Sequence, residues 1–167
     1  MNKQFVQIRM NFKKPVWPGY KAIQKATFPE SSLIPWTEGW FWGVFVKIDP
    51  ETYDKKNKFH LKIGKLTCEI VAFATMRPSA QFSDAAYMTR CGVRKEWRGN
   101  GLQHRLIKAR VAYARKQGYN FVVTDTTENP RSANNLIKEG FLTYLPERPY
   151  GYRETIYWSK RTKKDTK

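Results

Sequence analysis

Long apolar runs are missing from this chain: none approaches the length of about 20 residues that a membrane span needs, so no membrane partner is expected. The opening MNKQFVQIRMNF alternates polar and apolar residues. It has neither the continuous apolar stretch nor the small-residue cleavage site of a signal peptide, and a cytoplasmic location is expected. Cysteine is nearly absent, with only Cys68 and Cys91, no CxxC pair and just two histidines; this excludes a disulfide framework and a zinc site, and no metal is expected. Acidic residues are scarce as well. The 14 Asp and Glu stand against 31 Lys and Arg, and a net charge of +17 on a chain of this size attracts polyanions over a Debye length or more. The ordinary alternative for any single lysine is a solvated surface position.

What is present suffices for one core. A chain of 167 residues with 41% hydrophobic and 15% aromatic content is too apolar for disorder, and about 70% of its unfolded surface should be buried on folding. Residues 1–160 are expected to form one domain, with a hairpin insertion near 49–65 and a basic tail over 161–167 that frays. FVQIRM alternates as a strand does, and PGYKAIQKATF reads as a helix opening after Pro18. GWFWGVFVKI, LTCEIVAFATM and DAAYMTRCGV read as strands. From Gly101 onward Leu102, Leu106, Ala109 and Tyr113 recur at helical spacing, with His104, Lys108 and Arg115 opposite. YNFVVTD is a short strand, NPRSANNLIKEG a helix capped by Asn129 and ended by Gly140, and FLTYL and ETIYWSK are closing strands. This order implies an α/β (α+β) fold, a mixed sheet with helices packed on it.

The stretch VRKEWRGNGLQHRLIKA sets two glycines one residue apart in a run of positive charge just before the long helix. It lacks the G-x-x-x-x-G-K-[ST] spacing of a P-loop. It also lacks the third glycine of a dinucleotide fingerprint, since His104 stands there. Two readings remain: a tight turn, or a phosphate cradle in which Arg98-Gly99-Asn100-Gly101 brings the backbone close to an anion and the helix aims free amides at it.

CGVRKEWRGNGLQHRL resembles the acetyl-CoA-binding motif of the GNAT superfamily of N-acetyltransferases, a strand followed by Q/R-x-x-G-x-G/A and a helix; Glu96 stands where Gln or Arg is usual. NPRSANNLIKEGF resembles the family's downstream N-x-x-[SA]-x-x-x-L-x-K-x-G-F element, through Asn129, Ser132, Leu136, Lys138, Gly140 and Phe141. The resemblance covers about Tyr87 to Phe141. It implies a mostly antiparallel sheet splayed at the fourth strand, AYMTRCGV, and acetyl-CoA (coenzyme A) as cofactor. It further implies that the backbone at Cys91 and Val93 pairs the pantetheine arm, that Arg98, Gly99, Asn100, Gly101, Leu102 and Gln103 hold the pyrophosphate, and that Asn129 is a cofactor contact or a plain helix cap.

The implied reaction is direct transfer of an acetyl group to a primary amine, with both substrates bound. Some members carry a Glu and a Tyr where this chain has Thr124 and Leu136, so the proton acceptor is expected at Asp125, with Glu128 or a water chain as alternatives and a structural role for Asp125 equally open. Tyr144, Tyr150, Tyr152 and Tyr157 are candidate proton donors to the leaving thiolate. Cys91, with no histidine placed to activate it, reads as a small hydrophobe. From Arg94 to Lys116 eight basic residues face one acidic one, which points to an anionic macromolecular acceptor, an acidic protein or a nucleic acid such as tRNA. The aromatic run PWTEGWFWGVF is either core or an acceptor-binding edge. A non-catalytic GNAT-fold binding module is the alternative reading, and a dimer is compatible with the sequence.

Overall fold

The computed structural model describes residues 4–10, 16–35 and 38–162. The end of the expected basic tail, residues 163–167, and Trp36 of the aromatic run lie outside the described residues. The elements follow in the order β1 (Phe5–Met10), α1 (Trp17–Thr27), β2 (Trp40–Lys47), β3 (His60–Ile63), β4 (Leu66–Pro78), β5 (Ala85–Val93), α2 (Leu102–Lys116), β6 (Phe121–Thr127), α3 (Pro130–Lys138), β7 (Leu142–Tyr144) and β8 (Thr155–Arg161). The strands hydrogen-bond in the order β1-β2-β4-β5-β6-β8-β7, with β3 paired to β4. Pairing is antiparallel for β1/β2, β3/β4, β6/β8 and β7/β8, and parallel for β5/β6. The strand expected to be fourth is fifth, because the lysine-rich insertion contributes β3. That hairpin turns at Gly64-Lys65, with Ile63 opposite Leu66 and Gly64 at a φ of 59°.

The chain forms two compact units. The first runs through Thr75 and adds Arg90–Gln103; the second comprises Met76–Thr89 and everything from His104 onward. In the first, Tyr20 and Ile23 of α1 lie one turn apart and pack with Phe41, Phe45, Leu61, Cys68, Ile70 and Phe73. The Tyr20 ring meets Phe41 edge-on at 4.9 Å and Phe73 at 5.6 Å. Six consecutive residues of β2, Phe41–Val46, are buried, so this strand is covered on both faces and Phe41, Trp42 and Phe45 are core, while Trp40 at its start is half-buried. Phe41, Trp42 and Phe45 are therefore unavailable for stacking on an acceptor.

In the second unit, β5 pairs with β6 through Ala85↔Phe121, Ala86↔Val122 and Tyr87↔Val123, although β5 runs on to Val93 and β6 to Thr127. Beyond this short ladder Thr124 Oγ1 donates to Met88 O at 2.8 Å. Helix α2 departs from the expected stripe. Its buried residues are Leu102, Leu106, Ile107, Arg110 and Ala114, while Ala109 and Tyr113 are only half-buried. Positions 102, 106, 110 and 114 recur every four residues, so Arg110 falls on the inner face, 2% exposed, where its Nε donates to Leu106 O at 3.2 Å. It is thus withdrawn from the basic surface to which the sequence assigned it. Asn129 caps α3 as expected, its Oδ1 accepting from Ser132 N at 3.0 Å, and Gly140 follows the helix at a φ of 76°.

Candidate functional site

The expected cofactor arm belongs to the first unit. Arg94 N donates to Val71 O at 3.1 Å, fixing the end of β5 against β4 just after the half-buried Cys91 and Val93. A 3-10 turn over Lys95–Trp97 follows; it buries Trp97, whose ring meets Phe5 edge-on at 6.0 Å. Arg98 is extended, and its Nε donates to Val93 O at 3.4 Å. Gly99 and Gly101 then take φ values of 83° and 67°, the left-handed region that glycine enters without strain. Apart from the glycine itself and its two chain neighbours, no heavy atom of the described residues lies within 4 Å of where a Cβ would stand at either. Asn100 uses its side-chain amide to hold the loop, donating to Trp97 O at 3.0 Å and to Arg98 O at 3.3 Å. Leu102 is buried and anchors the start of α2, and Gln103 is half-buried. The first amides of a helix lack intrahelical acceptors, so an open, glycine-shaped bend delivers them unobstructed to a pyrophosphate. Residues 98–103 fit that group.

The second unit holds the residues nominated for proton transfer. Asp125 on β6 accepts a hydrogen bond from the Tyr87 phenol of β5. Tyr87 stands opposite Val123, and Asp125 is two residues further along β6, so the parallel register turns both side chains to one face. That register was the missing signal: nothing in either strand alone links Tyr87 to Asp125. The Tyr87 ring lies beneath the Arg77 guanidinium at 5.7 Å and edge-on to Tyr150 at 6.1 Å. Tyr150 in turn meets Tyr157 at 4.8 Å, and Tyr144 meets Tyr157 at 6.1 Å. Burial, and next the Asp125 carboxylate that accepts its hydrogen bond, push the Tyr87 phenol well above the ordinary range; burial and then the charge of Asp125 do the same to Tyr150. Burial also raises Tyr144, whose buried hydroxyl has no hydrogen-bond partner of good geometry among the described residues. A cavity of about 490 Å³ adjoins the cluster, lined by Tyr144, Pro149, Tyr152, Arg153, Thr155 and Tyr157 among others.

Of the four tyrosines named from sequence, Tyr144, Tyr150 and Tyr157 converge with Asp125, whereas Tyr152 is 79% exposed at the cavity rim. Thr124 spends its hydroxyl on Met88 O and Leu136 is buried in the face of α3, so both departures from the family pattern serve packing. Glu128 is exposed and takes a φ of 48°, an uncommon conformation for a residue other than glycine. Asn129 is exposed beside it, with its carboxamide oxygen committed to the cap. Among the described residues no three His, Cys, Asp or Glu side chains group as a metal site, and no helix is long and apolar enough to cross a membrane.

A sequence model of the acetyltransferase (GNAT) family matches residues 17–141. No curated protein sequence matches the chain. Solved structures of similar fold include an IAA acetyltransferase from Bacillus cereus, at a TM-score of 0.65 and 12% identity over 95% of this chain and 99% of that one. The ribosomal-protein-S18-alanine N-acetyltransferase from Escherichia coli aligns at 0.64 and 12% identity over 94% of each chain. A Bacillus subtilis acetyltransferase in complex with CoA aligns at 0.63 and 8% identity over 95% and 99%. At such identities the likeness is one of fold. The family match extends over well more than half of the sequence: this chain belongs to the GNAT acetyltransferases, whose cofactor is acetyl-CoA.

Proposed function

We propose that the protein transfers an acetyl group from acetyl-CoA to a primary amine of an anionic macromolecule, a protein with an acidic surface or a nucleic acid such as tRNA, with both substrates bound together. The observation that carries this reading is the bend at Gly99 and Gly101, open to an anion and leading straight into α2. In functional terms residues 1–160 act as one acetyltransferase domain with 49–65 as an insertion; of the expected tail 161–167, Arg161 instead pairs with Phe121 at the end of β8 and Thr162 is buried, its N–H donating to Asn120 O.

Bound acetyl-CoA supplies an activated thioester carbonyl. The amides of residues 98–103 hold the pyrophosphate, and the β5 backbone at Cys91 and Val93 aligns the pantetheine arm. An N–H near Val93 stabilises negative charge developing on the carbonyl oxygen. Orienting two bound reactants is worth roughly 7–11 kcal/mol, so positioning supplies much of the rate. Asp125 accepts the proton that the acceptor ammonium must lose, and Tyr144, Tyr150 and Tyr157, whose rings cluster beside it, are the candidate donors of a proton to the leaving thiolate. Six of the eight basic residues between Arg94 and Lys116 are exposed, namely Lys95, Arg98, Arg105, Lys108, Arg115 and Lys116. Together with the lysines of the insertion they exceed what one cofactor needs, which supports an anionic acceptor. A second reading, a non-catalytic binding module on the same fold, draws support from the packing roles of Thr124 and Leu136.

Acetyl-CoA turnover separates the two, because a binding module shows none with tRNA, duplex DNA or an acidic protein. For the enzyme, Asp125→Asn should lower kcat and leave coenzyme A affinity intact. Binding titrations at two salt concentrations then identify the acceptor: on a nucleic acid each neutralised phosphate steepens log K against log salt by about 0.7 to 0.9, and an acidic protein gives a gentler slope. Tight, salt-insensitive binding of a small neutral amine, with affinity for none of the three polyanions, would leave the charge as a solubility feature.

A further inference from the structure

The one acidic residue in the basic arm stands three positions before Gly99. At no more than about 3.6 Å of chain per residue, Glu96 lies within roughly 11 Å of the glycine cradle, close to the Debye length of about 10 Å at 0.1 M salt. Its side chain is 55% exposed. A hydrogen bond with its own backbone holds the carboxyl below the usual carboxylate range; partial burial opposes it, and the Arg94 guanidinium adds to the lowering. Glu96 is therefore an anion at neutral pH beside a site that binds an anion. Left alone, it would weaken cofactor binding.

Arg94 does not leave it alone. One terminal nitrogen of its guanidinium bridges to Glu69 Oε1 at 2.5 Å and to Ile70 O at 3.2 Å, and the other pairs with Glu96 Oε1. The Phe59 ring lies under the guanidinium at 3.9 Å. The side chain is only 12% exposed, and the Arg94 backbone N–H is tied to Val71 O. Releasing Arg94 toward a phosphate would break two ion pairs, one carbonyl bond and a stacking contact. Arg98, by contrast, has an exposed side chain with one long bond, at 3.4 Å, to Val93 O.

We infer that Arg94 is not a phosphate ligand but a fixed counter-ion, shared between Glu69 and Glu96, that offsets part of the Glu96 charge beside the pyrophosphate arm, so that the Arg94–Glu96 pair sets the strength of coenzyme A binding. This rests on the proposed cofactor arm at residues 98–103. Coenzyme A affinity then sits below what the same loop would give with a neutral side chain at position 96.

The test is calorimetric titration of the full chain with coenzyme A at low and at high salt. Glu96→Gln should tighten binding roughly three- to tenfold at low salt and much less near 1 M, since the repulsion removed is screened. Arg94→Met should weaken binding by a similar factor by exposing the Glu96 charge, and the double variant Arg94→Met/Glu96→Gln should return close to or above the parent. If Arg94 instead touched phosphate, the double variant would remain as weak as Arg94→Met, which overturns the inference; unchanged affinity of Glu96→Gln at low salt overturns it too, and this variant, altering a half-exposed side chain, keeps the question open to refutation even if Arg94→Met fails to fold. Gly101→Val is the control for the underlying reading. If it leaves coenzyme A affinity unchanged, the cofactor lies elsewhere and the inference falls with the arm; if it abolishes binding while the charge variants fail to follow this pattern, the inference alone is wrong.

Discussion

Two glycines nine residues apart illustrate two different demands on a single position. Gly101 has space around it but a φ of 67°, so its requirement is conformational. Gly92 on β5 has the opposite problem. A Cβ there would stand 2.6 Å from Cε1 of Phe73, a ring at the centre of the first unit's core, and would also strike the side chain of Thr27. Thr27 has little freedom to retreat, because its Oγ1 donates to Ile23 O at 2.7 Å within the last turn of α1. Gly92→Ala is therefore expected to overpack the site and cost about 1–3 kcal/mol, read as a lower denaturation midpoint at unchanged slope. A midpoint equal to the parent's would mean that Phe73 and Thr27 yield freely and that the packing is looser than these distances imply.

At the scale of elements, α3 depends on its entry. It has nine residues, opens with Pro130 and carries no acidic residue in its first turn, so the Asn129 carboxamide is the side chain that satisfies an N-terminal amide. Asn129→Ala should cost about 1 kcal/mol, and Asn129→Ser, which keeps a capping oxygen, should recover most of it in urea denaturation. Equal losses for Ala and Ser would show that the cap oxygen is irrelevant and that the amide group does something else, cofactor contact included. This cap was legible in the sequence because capping is local: Asn129-Pro130 before an apolar period declares a helix start. The same holds for the glycine bend and for every strand whose alternation lies within one segment. The Tyr87–Asp125 bond was not legible, since it depends on the offset between two parallel strands. Nor was the burial of Arg110, because a charged residue on a helix gives no sign that the inner face is centred on it until the helix has a sheet to pack against. Glu96 stands out in the sequence as the one acidic residue of a basic run, yet its counter-ion Arg94 is held by Glu69 and Phe59, 25 and 35 positions earlier in the chain, and no local pattern could join them.

For the whole molecule, pH sets two opposed effects on the alkaline side. Lysines lose their protons from about pH 10, which reduces the self-repulsion of a chain carrying +17 and should favour the compact state. Buried acids act the other way. Burial pushes the Cys68 thiol up to about 11 and raises the phenols of Tyr20, Tyr87, Tyr144 and Tyr150 above their ordinary range. Each of these groups binds its proton more tightly folded than unfolded, so its contribution to stability is complete below the unfolded value and is lost as pH rises through the window between the unfolded and folded values. For Cys68 that window runs from 9.0 to about 11, and for the tyrosines it opens at 10.0. The two effects differ in range: repulsion between surface charges is screened by salt, whereas the penalty for ionising a group inside the core is not. Denaturation midpoints at about 1 M salt, where the Debye length is about 3 Å, should therefore fall steeply between roughly pH 9 and pH 11. Phenolate absorbance followed in parallel should rise in two stages, the exposed tyrosines ionising first and the buried ones only as the fold is lost. A midpoint that stays level or climbs across this range at high salt, with all tyrosines titrating together while the protein remains folded, would show that the phenols around Asp125 are open to water and that the cluster is not the buried site described above.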